Sequence, residues 1–197
     1  MQTDNEAGER RRFFRIDDEI CLEYTILSDD EFEAAPEILA QNKHSAFTLS
    51  AEFATLNNSF HPMLNSIKHS TPEIGQYLEL LNNKIDALSQ QLLTDELPCS
   101  ESDMYQANLS ASGIAFNCTE SLTIDTKLKL KVILLPEKIG ILVFGTVKNC
   151  SPNQDSTYHI GVDFEHISYE DQELMIKHNL NKQMLDLRER AENNQEE

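Results

Sequence analysis

The sequence has no tryptophan and only six glycines and six prolines among its 197 residues. That scarcity excludes a collagen-like or low-complexity chain. No apolar run approaches the ~18–20 residues a membrane-spanning helix needs, so no membrane segment is expected. The opening residues, Met-Gln-Thr-Asp-Asn-Glu, show no charged region followed by an apolar one, and no secretory signal is read there. Cysteine is sparse. Cys21, Cys99, Cys118 and Cys150 form no C-x-x-C pair, so inert, reduced thiols of a cytoplasmic protein are expected. The six histidines lack H-x-x-x-H and H-E-x-x-H spacings, and no metal site is expected.

Positive charge is also short. There are 16 Lys and Arg against 34 Asp and Glu, for a net charge of -18. Such a chain repels long polyanions, so no nucleic-acid partner is expected. Against that background the arginines are unevenly placed. Arg10, Arg11, Arg12 and Arg15 crowd into one short stretch. A basic knot at the edge of an acidic protein suits a compact anion. The apolar share of 40% is enough to fill a core.

The hydrophobic period changes along the chain. Ile20, Leu22, Tyr24 and Ile26 alternate with Cys21, Glu23 and Thr25, which predicts a strand over 13–27. Ser28-Asp29-Asp30 then offers turn and helix-cap chemistry. Over 30–95 the spacing becomes heptad-like, first through Leu49, Phe53, Leu56, Phe60, Met63 and Ile67. It resumes through Ile74, Leu78, Leu81, Ile85, Leu88 and Leu92, with Ser70-x-x-Glu73 as a capping box between the two runs. Pro62 is expected to kink or divide the first helix. Strand alternation returns over 104–165, read as an antiparallel meander, and 169–190 reads as a helix with Leu174, Met175, Leu180, Met184 and Leu187 as apolar contacts. Residues 1–9 read as a disordered tail and 191–197 as a polar one.

Two short motifs carry chemistry. Arg11-x-x-x-Arg15, preceded by Arg10 and with Arg12 inside it, offers planar cations that fork onto phosphate oxygens or onto a guanine edge. Asn108-x-Ser110-x-x-Gly113 offers an amide and a hydroxyl for backbone or ligand, with Gly113 allowing φ > 0 where a turn passes close to a ligand. Ser110 and Ser112 lack the partner spacing or elbow of a catalytic nucleophile, and the carboxylates read as solvated surface. No catalytic residue and no enzyme activity are expected.

In this order, and with "LKLKVILLP", "YHIGVDF" and a final helix following, the motifs resemble the PilZ domain family over residues 10–190. The heptad segment, notably "YLELLNNKIDALSQQLL", resembles the helical-insertion, tetrameric subgroup of that family. The resemblance implies an α+β fold, a single domain over 10–190. It would be an antiparallel PilZ-type β-barrel interrupted after strand 1 by a long helical hairpin, plus a C-terminal helix. It implies a bacterial cyclic di-GMP receptor with no cofactor beyond that ligand. Arg10, Arg11, Arg12 and Arg15 would hold phosphates and guanine edges, facing a wall of Asn108, Ser110 and Gly113. The arginine arm is expected to be loose without nucleotide and ordered with it. Ile74, Leu78, Leu81, Ile85, Leu88 and Leu92 would join copies of the chain, as a tetramer in preference to a dimer, with a downstream protein partner unnamed. The competing expectation is a nucleotide-independent oligomeric adaptor of a surface apparatus such as type IV pili.

Overall fold

The computed structural model describes residues 14–97, 99–100 and 103–193. Arg10, Arg11, Arg12 and Phe13, the tail expected at 1–9, and residues 194–197 of the tail expected at 191–197 lie outside the described residues; residues 191–193 end α5. The described residues form the strands β1 (Ile16–Leu27), β2 (Met104–Ser110), β3 (Gly113–Cys118), β4 (Lys127–Leu134), β5 (Ile139–Pro152) and β6 (Tyr158–His166). They also form the helices α1 (Asp29–Glu33), α2 (Ala35–Gln41), α3 (Leu49–Ser70), α4 (Pro72–Glu96) and α5 (Tyr169–Asn193).

The strands close an antiparallel barrel in the order β1-β2-β3-β6-β5-β4. The first half of β1 pairs with β2, from Ile16↔Leu109 to Cys21↔Met104. Its second half pairs with β4, from Ile20↔Leu134 to Leu27↔Lys127. One long, twisted strand thus closes the barrel after the whole helical insertion has intervened. The meander is corrected in one place: β3 pairs with β6, not β4. The β3–β4 connection crosses over and is held to β5 by Asp125 N donating to Val147 O at 2.8 Å and Val147 N donating to Thr126 O at 3.0 Å.

Period-2 alternation sorts the strand residues as the sequence predicts. Ile20, Leu22, Leu128, Leu130, Val132 and Leu134 point inward and are buried in one core with Leu109, Phe116 and Ile160. Their outward neighbours are treated in two ways. Cys21, Ile133, Leu142 and Phe144 lie in a second buried cluster with Phe32 of α1, Ala35 of α2, Phe47, and Leu93 and Leu97 at the foot of α4. Lys127 and Lys131 lay ammonium groups 4.6 Å and 5.4 Å from the Phe32 and Phe47 ring centres. Each fully buried ring or branched chain there contributes roughly 1.5–3 kcal/mol.

The helices bear out part of the pattern. Ser28 and Glu31 form a reciprocal capping box that starts α1, with Ser28 N donating to Glu31 Oε2 at 2.8 Å. The box expected at Ser70 and Glu73 is not formed. Ser70 ends α3 and its hydroxyl donates back to Ser66 O at 3.1 Å, while Thr71 starts α4 without a side-chain cap bond. Pro62 does not divide α3, which runs unbroken through it for 22 residues. Packing along α4 outweighs the backbone bond lost there. The hairpin is tight at its tip: a Cβ on Gly75 would stand 2.5 Å from Lys68 Cγ.

Within that hairpin Leu78 and Leu81 are half-buried, whereas Ile74, Ile85, Leu88 and Leu92 are exposed. Leu93, one residue past the predicted stripe, is the side chain that buries against the barrel. At the other end of the chain, α5 covers the barrel mouth with Leu174 and Met175. Leu180, Met184 and Leu187, expected as contacts, are exposed. Inert, unpaired thiols were the expectation for all four cysteines. Instead Cys21 and Cys99 stand side by side, their Cα atoms 5.9 Å apart, because the chain leaving α4 passes beside β1. Cys118 and Cys150 are free. Among the described residues no helix is long and apolar enough to cross a membrane.

Candidate functional site

Arg15 stands one residue ahead of β1 and is exposed. The Ile16↔Leu109 pairing brings it beside the turn that joins β2 to β3, despite the helical insertion between them in sequence. Among the described residues Arg15 makes no ion pair, so its guanidinium is available to an anion. This juxtaposition is the one the two motifs anticipate.

The turn itself is locked from within. Ser110 and Gly113 face each other across it. The Ser110 hydroxyl donates to Gly113 O at 3.1 Å and accepts from Ser112 N at 3.3 Å. Ser110 is only 1% exposed, so its hydroxyl holds the turn and does not line an open wall. Gly113 is required for a different reason from the one anticipated. No described glycine has positive φ, but a Cβ on Gly113 would stand 2.6 Å from Val162 O of β6. Close strand approach, not a left-handed turn, excludes other residues there.

Helix α5 braces this turn. Gln172 Nε2 donates to Ala111 O at 3.0 Å, and Asn179 Nδ2 donates to Leu109 O at 3.3 Å. Phe14, Ala111, Ile176, Asn179 and Leu180 enclose a small cavity of about 50 Å³ where the arm leaves the barrel. Asn179 Oδ1 is buried with no hydrogen-bond partner among the described residues.

Asn108 does face outward. Its Nδ2 donates to Asp17 Oδ1 at 2.7 Å across the β1–β2 pair. Asp17 and Asn108 open onto a cleft of about 170 Å³ that Ala115, Asn117 and His159 also line. His159 Nδ1 lies 3.0 Å from Asn117 Oδ1, and Asn153 Nδ2 donates to the same oxygen at 3.2 Å. Asp17, Asn117 and His159 were absent from the sequence-derived site. Period-2 counting from Arg15 would have found Asp17. Asn117 lies nine residues from Asn108 and required the β2–β3 register, which pairs Asn108 with Ala115 and so puts Ala115 and Asn117 on its face. His159 required the β3–β6 register, which pairs it with Asn117.

Beneath the site, Asp18 has the opposite parity and points into the barrel mouth at 3% exposure. Its Oδ2 lies 2.6 Å from His178 Nε2 and its Oδ1 lies 3.2 Å from Lys182 Nζ, both on α5. Burial alone would raise the Asp18 pKa. The hydrogen bonds and positive charge of His178 and Lys182 outweigh burial and hold it below the ordinary value of 3.8. The strand that carries Arg15 and Asp17 outward is therefore pinned to α5 inward. Among the described residues no three His, Cys, Asp or Glu side chains converge as metal ligands.

Residues 92–180 match the PilZ domain model. The matched PilZ segment runs from the foot of α4 through β6 into α5. It is less than half the chain and leaves out β1 and the arginine arm. A Xanthomonas campestris protein, described as a tetrameric PilZ domain self-assembled through an unusual helical bundle, superposes with a TM-score of 0.53 at 10% identity over 89% of each chain. That likeness is one of fold: a PilZ-like barrel with a long helical hairpin. The Bacillus subtilis inhibitor of motility MotI/DgrA matches at 21% identity and a TM-score of 0.37 over 41% of each chain. The K. pneumonia MrkH–c-di-GMP complex matches at 24% identity and a TM-score of 0.31, over 46% of this chain and 43% of that one. The chain thus spans less than half the length of either. None of the curated proteins matches it.

Proposed function

We propose that this protein is a receptor for cyclic di-GMP, binding it on the outward face of β1, β2 and β3. The observation that carries the reading is the meeting of Arg15 with the Asn108–Gly113 turn at one barrel edge, through the Ile16↔Leu109 pairing. Supporting it, the PilZ model matches the part of the chain that holds the turn. Arg15, with Arg11 and with Arg10 or Arg12 assisting, would clamp the phosphates and stack on the bases. Asn108 would meet a guanine edge. Ser110 and Gly113 would act indirectly, by fixing the turn that presents Asn108. Neutralising the adjacent guanidinium charges would order the arm on the barrel, a change that a partner protein could read.

Assembly belongs to the same reading. Leu56, Phe60 and Met63 of α3 and Ile74, Ile85, Leu88 and Leu92 of α4 are exposed although apolar, more than a lone hairpin leaves to water. A helical bundle between copies, preferably a tetramer, would cover them. The reading also places the protein in the cytoplasm, where Cys21 and Cys99 would be held as two neighbouring thiols.

Calorimetric titration with cyclic di-GMP tests the proposal. Wild type should bind, and Arg15→Ala should lose roughly 2–5 kcal/mol of binding free energy, as for a truncated charge pair at an interface. Absence of heat with wild type would contradict it. The exposed helical face would then favour the second reading, a nucleotide-independent oligomeric adaptor. Light scattering that gives a monomer mass would remove the assembly claim from both.

A further inference from the structure

Asp17 has no place in either motif, yet it is the side chain bonded to Asn108. The Asn108 amide donates its N–H to one Asp17 oxygen at 2.7 Å. With one N–H spent in that way, the amide keeps its second N–H and its carbonyl oxygen, and Asp17 keeps its second carboxylate oxygen. Neither oxygen has another hydrogen-bond partner among the described residues. Two acceptors, one of them anionic, therefore stand side by side on the exposed edge of the β1–β2 pair.

The surface next to them is flat. Asn108 pairs with Ala115, and Ala115 pairs with Gly161, so the row continues with a methyl group and then no side chain at all. Asn117 and His159 rise at one side of the cleft and close it. A planar heterocycle lying on that shelf would present its edge to Asp17 and Asn108.

We infer that Asp17 and Asn108 form a two-acceptor edge that reads guanine, with Asp17 the specificity-determining residue of the nucleotide site. The Watson–Crick edge of guanine carries two adjacent donors, N1–H and N2–H. Adenine carries a donor beside an acceptor, and its acceptor would face a carboxylate. Hypoxanthine keeps N1–H but lacks the N2 amino group. A carboxylate also supplies the charge-assisted bond that Asn108 alone cannot make. Arg15, two residues away, offsets the repulsion between that carboxylate and the phosphates.

The inference rests on the receptor reading, and the test separates the two. The full-length protein is titrated with cyclic di-GMP, its hypoxanthine analogue cyclic di-IMP, and cyclic di-AMP. Wild type should prefer cyclic di-GMP over the hypoxanthine analogue by about tenfold, the effect of one good edge contact. In Asp17→Ala that preference should shrink to within about twofold, and cyclic di-GMP affinity should fall by about tenfold. Glu19→Ala removes the next outward carboxylate of β1, which bonds Gln106 instead. It should keep the wild-type preference, which separates edge reading from a general loss of negative charge. Asp17 is exposed, so melting curves of the variants should match wild type. An Asp17→Ala protein that retains the preference, or binds the anionic nucleotide more tightly, overturns the inference and leaves the receptor reading standing. Wild type that binds none of the three nucleotides overturns both.

Discussion

On the outward side of β4 and β5, Ile133, Leu142 and Phe144 are buried beneath α1, α2 and the foot of α4. On the outward side of β2, β3 and β6, Asn108, Asn117 and His159 line an open cleft. Both faces belong to one barrel and obey the same two-residue alternation. They differ in what the helical insertion covers. The insertion leaves at the end of β1, folds back over the neighbouring strands, and returns to start β2. It therefore spends its apolar foot on one side of the barrel and leaves the other polar and free. Connectivity thus leaves one face of the barrel sealed and the other accessible, before any site residue is considered.

Truncation on the sealed face should be the most damaging. Phe144 is fully buried and meets Phe32 edge-on at 6.4 Å between ring centres. Phe144→Ala should cost about 3–5 kcal/mol in chemical denaturation, the usual range for a buried aromatic. A loss below ~1 kcal/mol would mean that α1 and α2 do not seal that face.

The pin beneath the open face comes next. Asp18→Asn removes the charged half of two hydrogen bonds to α5 and should cost about 1.5–3 kcal/mol near neutral pH. The Asp18 pKa is lowered by folding. Its contribution is thus complete above the ordinary value of 3.8 and drains away as pH falls through the lower folded value. Wild type and Asp18→Asn should therefore converge in stability under strong acid and separate above it. Parallel curves across that range would detach Asp18 from the pairing with His178 and Lys182.

Asp171 tests the sealed side in the opposite direction. It sits at the start of α5 among Leu39, Ala51, Thr48 and Leu142. Burial pushes its pKa up to about 6, against partial relief from a hydrogen bond with Ser168. A raised carboxyl costs stability as pH rises through the interval between 3.8 and about 6, and the cost persists above it. Asp171→Asn should accordingly stabilise by about 1–2 kcal/mol at pH 7 and by almost nothing at pH near 4. A destabilised variant at neutral pH would show that the carboxylate has a partner there. Smallest of all should be Asn117→Ala on the open face, within about 0.5 kcal/mol of wild type in the same denaturation experiment.

The barrel was legible because its strands alternate cleanly: Leu128, Leu130, Val132 and Leu134 against Lys127, Lys129 and Lys131 permit only one inward face. The helical hairpin was legible for the same kind of reason. Its details were not. Periodicity alone gives a stripe, but not which of its residues another helix covers. Leu92 stayed on the exposed side while Leu93 went under. Ser70 and Glu73 have the spacing of a capping box, but α3 continues through Ser70 and leaves no cap position for it. Within the candidate site, the motifs singled out Asn108, Ser110 and Gly113 but not how each is held. That depends on the β3–β6 approach at Val162 and on the bond from Asn108 to Asp17, both long-range contacts. The closeness of Cys21 to Cys99 was hidden by 78 residues of separation.

Amide hydrogen exchange with and without saturating cyclic di-GMP tests the central claim most directly, because it reports on both faces in one experiment. The account predicts increased protection over residues 10–17 and 108–115, where the arginine arm and the β2–β3 turn meet. It predicts unchanged protection in β4, β5, α1 and α2, which form the sealed face. Protection that is the same with and without nucleotide, or that changes only on the sealed face, would contradict it.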